Sequence, residues 1–350
     1  MSTKITHIAV IRLSAMGDVA MAVPVISAFA KRHPTIKITV VSRKFLKPLF
    51  KSIPNCDFLA VDTKGRHEGF RGVLQLYQDL KDIGVDAIAD LHNVLRSKVV
   101  RYLFSAAYIP TAAINKGRKE KKALVSLKKK EFKQLQTSMQ RYVEVFEDLG
   151  YLIDESELKF IDKLSFSTET ENFAGILSEK ASKWIGIAPF AQHDGKVYPA
   201  DLMQEIINQL AKNSSNTLFL FGAGQEEIQQ LNTFKGTYNN IKVVAGNLKF
   251  GQELELISNL DLMLSMDSGN AHLAANYGVA VVTLWGATHP YAGFAPFGQP
   301  KENLITSDRE QFPLLPTSVY GNIEVAGYQD AMRTITPEMV VEKINELLTK

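Results

Sequence analysis

The sequence predicts an α/β protein made of two Rossmann-like domains, each built on a parallel sheet and facing the other across a cleft. Three observations point there. The chain has 350 residues, enough for roughly two domains at ~150 residues each. In each half, short β-rich runs alternate with helix-length amphipathic segments, the order that produces parallel βαβ units. The composition, 45% hydrophobic and 22% charged, is that of an ordinary globular protein rather than a disordered, fibrous or membrane-spanning chain.

In the first half, His7–Leu13, Ile36–Ser42, Asp57–Val61 and Ala87–Leu91 read as strands. Leu135, Met139, Tyr142, Phe146 and Leu149 keep one helical face apolar for four turns, and Gly150 supplies a stop. From Tyr151 to about Lys183 the chain turns polar, as expected of an interdomain connection. The alternation then restarts with strands at Trp184–Phe190, Thr217–Phe221, Ile241–Ala245, Leu262–Met266 and Val279–Leu284. A terminal helix carries Val340, Ile344, Leu347 and Leu348 on one face, with Pro337 at its start. These readings place a first domain at 1–165, a second at 175–335 and a docked helix at 336–350.

Charge and cysteine content narrow the function classes. Forty basic against 37 acidic residues leave a net charge of +3, which excludes a surface built throughout for polyanions. Cys56 is the only cysteine, so there is no intrachain disulfide, and no Cys/His spacing suggests zinc. The first apolar stretch, Ile8 to Leu13, is too short for a secretory leader. No apolar run approaches the ~18 residues of a spanning helix, and the expectation is a cytoplasmic protein.

Several strand-to-helix turns hold candidate chemistry. After the first strand comes Ser14-Ala15-Met16-Gly17-Asp18. Gly17 would let backbone approach a ligand, and Asp18 would either take a proton or serve only to cap the helix. No G-x-G-x-x-G motif stands here, which argues against a dinucleotide. In the second half, Asp267-Ser268-Gly269-Asn270-Ala271-His272 follows a strand and opens a helix. Free amides and the positive helix end suit a phosphate there, with Asp267 and Ser268 orienting the loop or binding ribose or phosphate and His272 donating to a diphosphate oxygen. The alternative is a capped helix with a satisfied histidine. Lys196, in a glycine-containing loop, would neutralise a departing diphosphate or be a solvated lysine. The turn around Gly224 is compatible with nucleotide approach. No Asp-x-Asp occurs in the chain, which removes a common sign of a metal-held nucleotide-sugar diphosphate.

Between Lys116 and Lys133 there are nine basic and two acidic residues. This local excess is larger than the charge of the whole protein. Such a run is often only a solvated segment, but an excess of this size points to an anion-facing loop, for a phosphorylated substrate or an anionic membrane surface. Phe132 is its only aromatic, so nucleic acid is not expected.

Together these segments resemble the bacterial lipopolysaccharide heptosyltransferases, inverting enzymes of the GT-B fold. The likeness covers nearly the whole chain and is most specific in Ser14–Asp18 with Pro24, in Asp267–His272 and in Leu284-Trp285-Gly286-Ala287-Thr288-His289-Pro290. Gly195–Pro199, Asp90–Ser97 and Gln140-Arg141-Tyr142 add to it. The resemblance implies that Asp18 is the general base and that Lys196 contacts the donor diphosphate. It also implies a donor site drawn from Gly17, Gly224, Glu226 at the ribose, Leu248 at adenine, Asp267, Ser268, Gly269, Asn270 and His272. For the acceptor we expect His92, Arg96, Lys98, Lys116, Arg118, Lys119, Lys121 and Lys122. The implied substrates are an ADP-sugar and an anionic lipid-linked oligosaccharide, with no metal or other cofactor and with peripheral contact at the cytoplasmic face of the inner membrane. The sequence departs from the family at Tyr198, where tryptophan is usual, at His92, where glutamine is common, and at Ala191-Gln192, where some members have hydroxyl residues. Two competing readings are a nucleotide-sugar epimerase and a non-enzymatic anion-binding module.

Overall fold

A computed structural model describes residues 5–175 and 182–349. Residues 1–4, residues 176–181 inside the expected connection, and residue 350 lie outside the described residues. The chain divides into two compact units. The first comprises residues up to Lys116 together with Ser138–Phe160, and the second comprises Gly117–Thr137 with Ile161 onwards. The basic segment beyond Lys116 therefore belongs to the second unit, inserted between two stretches of the first.

The first unit is a five-stranded parallel sheet in the order β3-β2-β1-β4-β5. Its strands are β1 (His7–Ile11), β2 (Lys37–Ser42), β3 (Cys56–Ala60), β4 (Ala87–Asp90) and β5 (Thr111–Ala113). Helices α1 (Met16–Arg32), α2 (Gly69–Asp82) and α3 (Leu95–Ala106) make the crossovers, and α5 (Ser138–Asp148) packs on α1. Every residue of β1 is buried, as expected for a parallel strand covered on both faces. Ile11, Val41, Ile88, Val100 and Phe104 are part of the core around it. The short edge strand β5 was not anticipated.

The second unit has six strands in the order β11-β10-β9-β6-β7-β8, all paired in parallel. They are β6 (Lys183–Ala188), β7 (Asn216–Leu220), β8 (Ile241–Val243), β9 (Leu262–Met266), β10 (Ala280–Trp285) and β11 (Leu304–Thr306). Numbered from β6, this is the 3-2-1-4-5-6 order of the Rossmann fold. Its helices are α4 (Arg118–Leu124), α6 (Thr168–Ala174), α7 (Ala200–Ala211), α8 (Gly224–Lys235), α9 (Phe250–Ser258), α10 (Gly269–Asn276) and α11 (Pro337–Leu348). In α11, Val340 and Ile344 are fully buried, and the Thr336 hydroxyl accepts from the Met339 amide to cap its start.

The polar stretch read as a connection is partly structured. Glu255 Oε2 on α9 accepts from the Ser167 amide and hydroxyl and from the Thr170 hydroxyl at 2.9, 2.7 and 2.6 Å. One carboxylate thus collects the donors at the start of α6, a tertiary cap that composition does not reveal.

Candidate active site

In an open α/β sheet, ligands bind beyond the carboxyl ends of the strands, where the strand order reverses. In the first unit that point lies between β1 and β4. Asp18 follows β1 on the first turn of α1. It is not the N-cap residue: that position is Ala15, whose amide donates to Asp18 Oδ2 at 3.2 Å. The same oxygen is ion-paired with Arg12 Nη2. Arg12, the first residue after β1, is 6% exposed. Its amide donates to Val41 O at 3.1 Å and its Nη1 to Leu91 O at 2.8 Å. Burial works against its charge, but Tyr142, Asp18 and Asp90 more than offset it and leave its pKa raised.

Asp90, fully buried at the end of β4, accepts through Oδ1 from the amides of His92 and Asn93 at 3.0 and 2.7 Å. Asn93 takes φ +46° and donates to Ile114 O at 2.8 Å, so this loop is tied to both neighbouring strands. It presents His92, nearly buried, whose pKa is lowered to about 3 by burial first and then by Arg12, Lys116 and Arg43, with Asp18 opposing. The imidazole is neutral throughout the physiological range.

The other expected acceptor residues divide between the units. Arg96 and Lys98 lie in the first two turns of α3, and Arg96 is engaged with the His67 carbonyl. Arg118, Lys119, Lys121 and Lys122 are on α4 of the second unit. Of these, Lys121 is turned inward: it is 6% exposed, with its ammonium 4.2 Å from the Phe294 ring centroid.

In the second unit the reversal lies between β6 and β9. Lys196, in a short turn after β6, pairs with Asp267, the first residue after β9: Nζ lies 2.7 Å from Oδ2 and 3.3 Å from the Asp267 carbonyl. The side chains are 15% and 5% exposed, so Lys196 is not a solvated loop lysine. Asp267 leads into α10, whose N-cap Ser268 makes no side-chain bond to the first-turn amides. Its hydroxyl is instead 3.0 Å from that of Ser265. A cation, a helix start with no cap from Ser268, and buried His272 one turn in make a site for an oxyanion.

Two features missed in the sequence hold Lys196. Gly195 N donates to Gly321 O at 3.2 Å, and Ala287 N to Gly195 O at 2.8 Å. Gly321 takes φ +80°, and a Cβ there would lie 2.6 Å from Lys196 Cγ. Nothing in Tyr320-Gly321-Asn322 links it to a residue over a hundred positions earlier. On the same sheet edge, Gly224 (φ +80°) opens α8 with exposed Glu226 beside it, and half-buried Leu248 follows β8. Tyr198 does not belong to this edge: it is buried and its hydroxyl donates to Ile335 O at 2.5 Å.

Two parallel-sheet, Rossmann-like units with anion-suited strand ends have the ground plan of the GT-B fold. The glycosyltransferase family 9 (heptosyltransferase) profile matches residues 73–316, and the chain belongs to this family of glycosyltransferases. It is 24% identical over 282 residues to the lipopolysaccharide core heptosyltransferase OpsX of Haemophilus influenzae, covering 80% of this chain and 79% of that protein. Its fold matches a family 9 glycosyl transferase from Veillonella parvula with TM-score 0.75 at 18% identity, over 100% and 99% of the two chains. It also matches the E. coli heptosyltransferase WaaC with ADP, with TM-score 0.69 at 17% identity, over 98% and 100%. Family membership sets aside the epimerase and the non-enzymatic module. Among the described residues, no helix is long and apolar enough to cross a membrane, and no group of three or more His, Cys, Asp or Glu side chains is placed to hold a metal.

Proposed function

We propose that this glycosyltransferase moves a heptose from ADP-heptose to a sugar hydroxyl of a lipopolysaccharide core acceptor, with inversion at the anomeric carbon and without a metal. The observation that carries the reading is the Lys196–Asp267 pair beside the start of α10. In it Asp267 fixes the Lys196 ammonium beside the helix start, so that this cation and the α10 amides can meet a diphosphate leaving group where a metal-dependent enzyme would use a metal ion. The relatives' names, and a structural neighbour with ADP, support the donor and acceptor classes.

In this mechanism Asp18 takes the proton of the acceptor hydroxyl, and the oxygen forms a bond to the anomeric carbon. The bond from that carbon to the diphosphate breaks, and ADP departs with its charge met by Lys196 and the amides of Gly269 and Asn270. Leu248 and Glu226 would contact adenine and ribose. Gly17, Gly224, Asp267, Ser268 and His272 complete the donor contacts. His92, Arg96, Lys98 and Lys116, with the exposed bases of α4, would meet the anionic acceptor, and the enzyme would work at the cytoplasmic face of the membrane that carries it.

The test is calorimetric titration with ADP, UDP, GDP and CMP, with and without EDTA, on wild type and Lys196→Ala. Selective, chelator-insensitive ADP binding that weakens in the variant is expected. Preference for another nucleotide would overturn the donor, and loss of binding in EDTA would overturn metal independence. Asp18→Asn should bind ADP normally and lose about 10²–10⁴-fold in turnover.

A further inference from the structure

Both recorded donors to the Asp18 carboxylate converge on one oxygen. The Ala15 amide lies 3.2 Å from Oδ2, and Arg12 Nη2 is ion-paired with the same atom. Asp18 is partly exposed, and Oδ1 has no recorded donor among the described residues. Arg12 is itself held by the carbonyls of Val41 on β2 and of Leu91 just after β4, and accepts at its own carbonyl from the Ser42 hydroxyl at 2.6 Å. Its guanidinium carbon is 5.9 Å from the Tyr142 ring centroid, and the Tyr142 hydroxyl donates to Asp18 O at 3.2 Å.

We propose that Arg12 is a positioning residue that fixes the Asp18 carboxylate through Oδ2 and thereby reserves Oδ1 to take the acceptor proton. This rests on the reading of Asp18 as the general base. A planar fork suits the task because one guanidinium nitrogen can hold the β4 loop while another holds the carboxylate. A lysine in the same place has a single point of attachment. Without Arg12, the carboxylate can rotate about χ2 and present either oxygen or neither. A misplaced reacting group of this kind costs about 10²-fold in rate.

The test is a double-mutant cycle on the full-length enzyme, following ADP release from ADP-heptose with a lipopolysaccharide core acceptor. Arg12→Ala should lower kcat about 10²-fold while ADP affinity and the KM for donor, whose proposed contacts lie in the second unit apart from Gly17, stay within twofold. Added guanidinium ion should restore part of that loss. In an Asp18→Asn background the same substitution should cost almost nothing further, and guanidinium should restore nothing, because two residues acting as one unit are not additive. Arg12→Lys keeps the charge and guards against a folding failure: it should melt within a few degrees of wild type yet show most of the kcat loss. A full loss from Arg12→Ala in the Asp18→Asn background would overturn the proposal, as would wild-type kcat in a folded Arg12→Lys or Arg12→Ala enzyme. If Asp18→Asn itself turns over normally, the base assignment fails first, a result separable from failure of Arg12 alone.

Discussion

Lys196→Ala tests whether the lysine serves the fold, the chemistry or both, because the two roles have different partners. In the folded protein its ammonium sits 2.7 Å from Asp267 Oδ2, and the Asp267 side chain is 5% exposed. Removing the lysine leaves that carboxylate buried without its cation. The loss for breaking a buried pair is about 3–5 kcal/mol, and the residual exposure of Lys196 argues for the lower end, about 3 kcal/mol. For a unit of this size each kcal/mol moves Tm by about 2–4 °C, so a fall of roughly 6–12 °C is expected. Adding Asp267→Asn removes the stranded charge and should recover most of that stability. It cannot recover the charge presented to the diphosphate, worth about 2–4 kcal/mol in the transition state. The double variant should therefore melt near wild type while its turnover remains down about 30- to 1,000-fold. Calorimetric melting and initial-rate measurements on the two singles and the double check both halves. A double variant no more stable than Lys196→Ala, or one with wild-type turnover, would refute the reasoning.

Gly321→Ala should lower both Tm and ADP affinity, since its Cβ would lie 2.6 Å from Lys196 Cγ at φ +80°. Gly327→Ala, with φ +79° and open space around it, should show backbone strain of about 1–2 kcal/mol and unchanged ADP binding in the same titration. Burial raises the Glu253 carboxyl from 4.5 to about 7. The folded state then holds a proton that the unfolded state releases, and stability falls as pH rises from about 4.5 through 7. Glu253→Gln should add up to about 3 kcal/mol at pH 8 and nothing at pH 4 in urea unfolding; an equal effect at both values would remove the cause assigned. With His92 lowered to about 3, His92→Asn should change rates without moving either limb of the pH–rate profile between pH 5 and 8. A shifted limb would show that the imidazole titrates.

The central strands were legible because parallel strands covered on both faces read as unbroken apolar runs. β1 and β9 are buried at every residue and fall within the predicted runs. The edge strands β5 and β11 have three residues each and are partly exposed, too short for periodicity to register, whereas β8, equally short, runs on into buried Val244 and Ala245 and so reads as part of a longer apolar run. The same contrast governs the site. Asp18 and Asp267 were legible because each stands at a strand-to-helix junction, Asp18 on the first turn of α1 and Asp267 directly after β9, where topology alone puts chemistry. What holds them was not, because the holding is done across the sheet. Arg12 lies at the end of an apolar run, where its value depends on Leu91, nearly eighty residues away. Gly321 matters only because Lys196 lies against it.

The basic segment shows the converse error of reading composition as exposure. Lys130 donates to the Leu124 and Pro316 carbonyls at 3.0 and 2.7 Å, and the Arg309 guanidinium lies 3.4 Å from the centroid of the Phe132 ring. Phe132 in turn packs edge-on against His289, with centroids 5.0 Å apart. Half-buried, with Arg309 nearby, the Lys130 ammonium is lowered to about 8. Part of a run that a charge count assigns to solvent is thus fastened to the second unit by its cations and its one aromatic. A count of charges records neither the carbonyls nor the rings that receive them; the bases of this segment that stay exposed are Arg118, Lys119 and Lys122 on α4 and Lys128, Lys129 and Lys133 beyond it.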